Sequence, residues 1–148
     1  FFLKKFKFSL EMVLNYKQQV LEALQGEHAA ALSRLREQEQ LLERMWQEYR
    51  EYNEEYCEKK AAGMTISEAL SYQSGLRVLE SQIQKETEQL ERFRKDEERK
   101  RERVVEARKE TASIEKLREK KLGAYQKAVA KSEELFIEEF VSSRNHFA

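Results

Sequence analysis

The chain has 148 residues, 38% of them charged and only 40% apolar, so a thick globular core would be hard to fill and a thin, elongated one is expected. Its 28 Lys and Arg balance 28 Asp and Glu, which removes any global electrostatic pull toward nucleic acid or an anionic membrane. Proline is absent, glycine occurs four times and Asp96 is the single aspartate, a composition suited to helix because Pro breaks the backbone ladder and Asp competes with it.

The start, Phe1-Phe2-Leu3-Lys4-Lys5-Phe6-Lys7-Phe8, interleaves aromatics with lysines. It lacks the apolar run of roughly 7 to 15 residues that an export signal needs, and packing on the far end of the fold is favoured over a membrane-surface role. Nowhere does the chain approach the roughly 18 consecutive apolar residues of a membrane span, so no direct membrane insertion is expected.

Ser9 reads as a helix N-cap, and an unbroken heptad follows. One core position carries Leu14, Leu21, His28, Leu35, Leu42, Tyr49 and Tyr56, the other Leu10, Lys17, Leu24, Ala31, Gln38, Met45 and Tyr52. Mostly apolar or aromatic residues at both positions are the signature of a coiled coil. The spacing puts Tyr49, Tyr52 and Tyr56 in the seam and Trp46 just off it. Cys57 is alone, which excludes an internal disulfide and suits a reducing cytoplasm.

The first helix is expected over about 9–61. Lys59 and Lys60 place positive charge on its last turn, and Gly63 can take the left-handed conformation that ends a helix. After a turn at about 62–65, Thr65-Ile66-Ser67-Glu68 has the capping-box form that opens a second helix, running to about 142.

Helix two begins its stripe as Leu76, Leu79, Ile83, Leu90 and Phe93, grows poorer at Glu86, Glu97 and Lys100, and recovers at Val104, Ala107 and Ile114. It then shifts frame to Leu122, Tyr125, Val129 and Phe136, a four-residue insertion that locally unwinds a supercoil. Folding back at Gly63 sets Leu35 against Leu90, His28 near Glu97, Gln38 opposite Glu86 and Leu10 in the region of Arg118. Beyond about Tyr125 helix two should outrun helix one by roughly 20 residues, or about 30 Å. The expected fold is all-α: one coiled-coil domain over 1–148, a long two-helix antiparallel hairpin with the second helix longer than the first.

Catalytic and metal signatures are missing. His28 and His146 are the only imidazoles, neither lies in a Glu-x-x-His motif, and no phosphate-binding glycine loop or nucleophile elbow occurs. No enzyme activity, metal or cofactor is expected. The run Arg99-Lys100-Arg101-Glu102-Arg103 reads as a self-paired solvent face, because Glu88 to Arg92, Glu91 to Lys95, Asp96 to Lys100 and Glu97 to Arg101 sit at i, i+4 with the acid first. Nucleic acid is therefore not an expected partner. Lys116, Arg118, Lys120 and Lys121 have fewer acids nearby and suit an acidic protein surface.

Several motifs occur together: Phe6-x-Phe8-x-Leu10, Gly63-Met64-Thr65, Tyr72-Gln73, Ile114-Glu115-Lys116-Leu117-Arg118-Glu119-Lys120 and Glu138-Glu139-Phe140. By their order and spacing the chain resembles the flagellar export protein FliJ family over nearly its whole length, particularly forms from Gram-positive bacteria. The resemblance implies a non-enzymatic component of the flagellar type III export apparatus, similar to the stalk of the rotary ATPase gamma subunit. Its end carrying both termini would enter the hexameric export ATPase and promote ring assembly. The implied partners are that ATPase, the cytoplasmic domain of the export gate membrane protein, and export chaperones.

The implied location is cytoplasmic, held peripherally at the inner face of the membrane at the flagellar base, with the isolated chain monomeric. The expected ring-binding set is Phe6, Phe8, Lys116, Arg118, Lys120, Lys121, Phe136 and Phe140. By resemblance the gate-facing set is Gly75, Leu79, Gln82 and Glu86, although some relatives carry an aromatic at the first of these positions and a small apolar residue at the third. A virulence type III stalk and a generic coiled-coil scaffold are the alternative readings.

Overall fold

The computed structural model describes residues 4–146. Phe1, Phe2 and Leu3 of the basic aromatic start, and the side chain of His146, lie outside the described residues. The fold is an all-α antiparallel hairpin of two packed helices, α1 (Glu11–Ala62) and α2 (Ile66–His146), of 52 and 81 residues. Packing divides it into two compact units, a turn unit of Leu24–Val104 and a terminal unit of Phe1–Ala23 with Val105–Ala148.

In the turn unit, Leu35, Leu42, Ile83 and Leu90 form the buried cluster, with Met45, Tyr49 and Phe93 packed against it. Every α1 position of the expected heptad in this unit is buried or half-buried. Alternating three- and four-residue steps keep these side chains on one helix face, so the seam follows from the pattern itself. Leu35 meets Leu90 within the cluster, as the fold-back at Gly63 requires.

Polar residues that enter the seam find each other. Gln38 is 8% exposed and donates through its amide to the backbone oxygen of Glu86 at 3.0 Å and to the Glu86 carboxylate. His28 Nε2 lies 3.0 Å from Glu97 Oε1, so the imidazole is a bonded seam residue. Burial without such partners would cost about 1–3 kcal/mol per group.

The turn forms as its residues dictate. Gly63 has φ +102°, a left-handed value that ends α1 without a Cβ penalty. The Thr65 Oγ1 accepts from the Glu68 amide at 3.1 Å, which satisfies one of the orphan donors at the start of α2. Above the turn, Tyr72 packs in tilted contact with both Tyr52 and Tyr56 at centroid distances of 5.2 and 5.3 Å, and the Lys59 ammonium lies 5.4 Å from the Tyr72 ring centre. Trp46 is 45% exposed, off the seam as its spacing predicts, and meets Tyr49 edge-on at 5.6 Å.

The basic run of α2 is paired in a modified pattern. Asp96 binds Lys100 at 3.2 Å and Glu97 binds Arg101 at 3.7 Å, both at the expected spacing. Arg92 instead bonds Gln89, and Glu91 pairs with Arg94, because i, i+3 neighbours compete for the same face.

Asp96 also faces Arg34 across the seam at 3.5 Å. The hydrogen bond from Lys100 holds its carboxyl below the usual carboxylate range, assisted by the Lys100 charge and by Arg34 and Arg99, while partial burial opposes them. Since the folded value lies below the unfolded one, the pairing stabilises the fold above the ordinary carboxylate range and is lost as pH falls through the folded value. Asp96→Asn should therefore lower the melting temperature at pH 7 and leave it equal to wild type near pH 2, as read by thermal circular dichroism.

Candidate functional site

Assembly of the site in the terminal unit begins before α1. Residues 4–8 have no regular secondary structure, and Phe8 anchors them, being only 8% exposed. The Phe8 carbonyl accepts from the Glu11 amide at 3.1 Å, and the Leu10 carbonyl receives the first ladder bond from Leu14 at 2.8 Å. The helix therefore starts at Glu11, and Ser9 lies in the preceding turn rather than serving as the cap, because the buried Phe8 ring fixes where the chain can turn.

Phe6 is half-buried. Its ring packs on Tyr125 at 5.7 Å, and the Arg118 guanidinium covers it at 5.6 Å from the centroid. Arg118 Nε also donates to Glu11 Oε2 at 2.9 Å, so one arginine ties the entry segment, the first turn of α1 and α2 together. A second tie follows: Lys17 donates to Glu110 at 2.8 Å, and that bond with its carboxylate charge holds the lysine above its usual range.

The burial stripe of α2 in this unit runs through Ala107, Thr111, Ile114, Arg118, Leu122, Tyr125, Val129 and Ser132. Two successive four-residue steps, from Ile114 to Arg118 and from Arg118 to Leu122, are the expected frame shift, with Arg118 at its centre. Thr111, 3% exposed, returns its hydroxyl to the Ala107 carbonyl at 2.8 Å. From Glu133 to Asn145 every residue is exposed, including Leu135, Phe136, Ile137, Phe140 and Val141 at 47–60%. The helix continues past the Ser142-Ser143 pair, where its end is expected, because neither serine removes a backbone donor.

The residues expected to bind a partner thus separate into three kinds. Phe6 and Arg118 are drawn together and Phe8 is buried, so all three serve internal packing. Lys116, Lys120 and Lys121 are exposed, with no ion pair to a described residue. Phe136 and Phe140 lie on the exposed end of α2, at 54% and 60% exposure. Sequence reasoning passed over the groove of about 980 Å³ that Lys4, Lys5, Phe6, Lys7, Phe8, Ser9, Lys121 and Tyr125 line. The available signal was the sequence separation of Phe6 and Tyr125, which the hairpin register brings together.

The residues expected to face the gate all lie in the turn unit. Gly75 is half-buried, and a Cβ there would fall 2.8 and 2.9 Å from carbons of the Tyr52 ring, so this glycine seats that tyrosine. Leu79 is half-buried, Gln82 is exposed, and Glu86 is engaged by Gln38. Among the described residues no His, Cys, Asp and Glu group is placed to hold a metal ion, and no helix is long and apolar enough to cross a membrane.

A comparison with protein families finds one whose model, described as Flagellar FliJ protein, matches residues 6–147. No curated protein and no solved structure matches the chain.

Proposed function

From the premise that the chain belongs to the flagellar FliJ protein family, we propose that it is a stalk whose terminal unit inserts into the hexameric flagellar export ATPase and promotes assembly of that ring. The family makes it a component of the flagellar export apparatus, engaged in protein transport. The stalk role is non-enzymatic, and the protein acts from the cytoplasm at the inner face of the membrane. Through Gly75, Leu79, Gln82 and Glu86 the turn unit reaches the cytoplasmic domain of the export gate, and export chaperones are escorted along the same route.

The observation that carries the ring assignment is the apolar end of α2. Phe136 and Phe140 continue the helix face of Tyr125, Val129 and Ser132, yet they are 54% and 60% exposed. Phe140, a large aromatic 60% exposed on a preformed helix, suits a groove in another protein. Replacing both, Phe136→Ala with Phe140→Ala, should reduce ATPase stimulation by about tenfold or more, on the scale of interface anchors, with helicity unchanged. Wild-type stimulation by that double variant would sink the ring assignment.

A further inference from the structure

The terminal unit carries two charge zones of opposite sign on one helix. Between Lys116 and Lys131 the basic residues are Lys116, Arg118, Lys120, Lys121, Lys127 and Lys131, against the single acid Glu119. Lys4, Lys5 and Lys7 add to the same zone, sharing a groove with Lys121. Within two residues of Lys131 the sign reverses. Glu133, Glu134, Glu138 and Glu139 follow with no cation before Arg144, and the exposed Leu135, Ile137, Phe140 and Val141 stand among them.

The chain's own habits make this reversal informative. In the turn unit, helix charges neutralise one another through Asp96 with Lys100, Glu97 with Arg101 and Glu91 with Arg94. Past Ser132 that habit stops. Glu133, Glu138 and Glu139 have no Lys or Arg three or four positions away, and Glu134 stands four residues from Glu138, a like-charge spacing that weakens a helix. None of the four carboxylates makes an ion pair to a described residue. An acidic, half-apolar helix end that leaves its own charge uncompensated is complementary to a cationic surface. An anionic lipid headgroup would be repelled by it, and a second copy of the same segment would bring glutamates against glutamates.

Resting on the reading that the terminal unit is the docking end, we infer that its two zones meet partner surfaces of opposite charge. The lysine zone meets carboxylates, and the segment from Glu133 to Val141 meets an apolar protein groove rimmed by Lys or Arg. The sign change fixes depth of insertion as well as affinity. Sliding the helix along its axis by about two turns, roughly 11 Å, would set like charges against each other.

Two measurements on the full chain test this. An amphipathic Lys/Leu peptide should cross-link to residues 133–141, and a Glu/Leu peptide of equal length to the region of Lys116, Lys120 and Lys121. Capture of both peptides by one region, or of neither, overturns the inference. In the second, Glu133→Gln, Glu134→Gln, Glu138→Gln and Glu139→Gln are combined, keeping shape and helix propensity while removing the charge. Binding of this variant to the hexameric export ATPase at low salt should weaken about tenfold, with a flatter salt dependence. If wild type and variant bind the ring equally, the charge zoning is wrong and the ring reading stands. If the peptides sort by charge while the wild-type chain ignores the ring, the zoning stands and the ring reading fails.

Discussion

Ile83→Ala should cost about 2–3 kcal/mol of unfolding free energy, near the lower end for a buried Ile or Leu truncated to Ala. Ile83 is 4% exposed and belongs to the Leu35, Leu42 and Leu90 cluster that holds the turn unit together. A two-helix core is one layer thick, so water and neighbouring side chains reach a cavity there more readily than in a globular interior, which tempers the cost. Val78→Ala provides the comparison, because Val78 is 55% exposed and its truncation should stay within about 0.5 kcal/mol. Urea unfolding followed by circular dichroism separates the two. Equal midpoints for both variants would mean that the seam is not where the stability lies.

The second large effect concerns the terminal unit. Phe8→Ala should destabilise the packed entry segment by about 3 kcal/mol, within the range for removing a buried phenylalanine ring. Phe8 is 8% exposed, and its carbonyl sets the turn into Glu11. Losing it frees Phe6 from Tyr125 and from beneath Arg118, so the consequence is local opening rather than global unfolding. Amide exchange reads this directly: protection of the first turn of α1 should fall, while that around Leu35 and Leu90 is retained. Unchanged exchange at Leu14 would contradict an anchoring role for Phe8.

These two variants also mark where sequence reasoning succeeds and where it stops. The seam was legible because its information is periodic, and the burial of Leu14, Leu35, Leu42, Ile83 and Leu90, with Leu21 half-buried, is a consequence of helix geometry alone. The frame shift after Ile114 was legible for the same reason. Ser9 misled because capping propensity is local, whereas α1 starts at Glu11, whose amide bonds the carbonyl of the buried Phe8. Arg118 read as part of a basic cluster for an acidic partner; the fold-back set Leu10 in its region, but its bond to Glu11 and its cover of Phe6 follow only from the packed side chains. Gly75 entered only as a gate-facing position implied by resemblance, and its use as a seat for Tyr52 depends on the cross-hairpin register. Local chemistry predicted the turn at Gly63 well because everything that forms it lies within a few residues.

The proposed docking end was legible in outline. An apolar stripe longer than its partner helix follows from counting residues on either side of Gly63, and the lysine cluster from composition. Which members remain available did not follow, because Phe6, Phe8 and Arg118 are consumed by internal packing while Lys116, Lys120, Lys121 and Phe140 stay exposed.

The most direct test of the proposed stalk is binding of the hexameric export ATPase by the full chain and by the chain cut after Tyr125, which keeps Phe6, Arg118 and Lys121 and lacks the exposed end of α2. The cut chain should lose affinity by about a hundredfold, as removal of interface anchors would require. Equal affinity for the ring with and without residues 126–148 would contradict it.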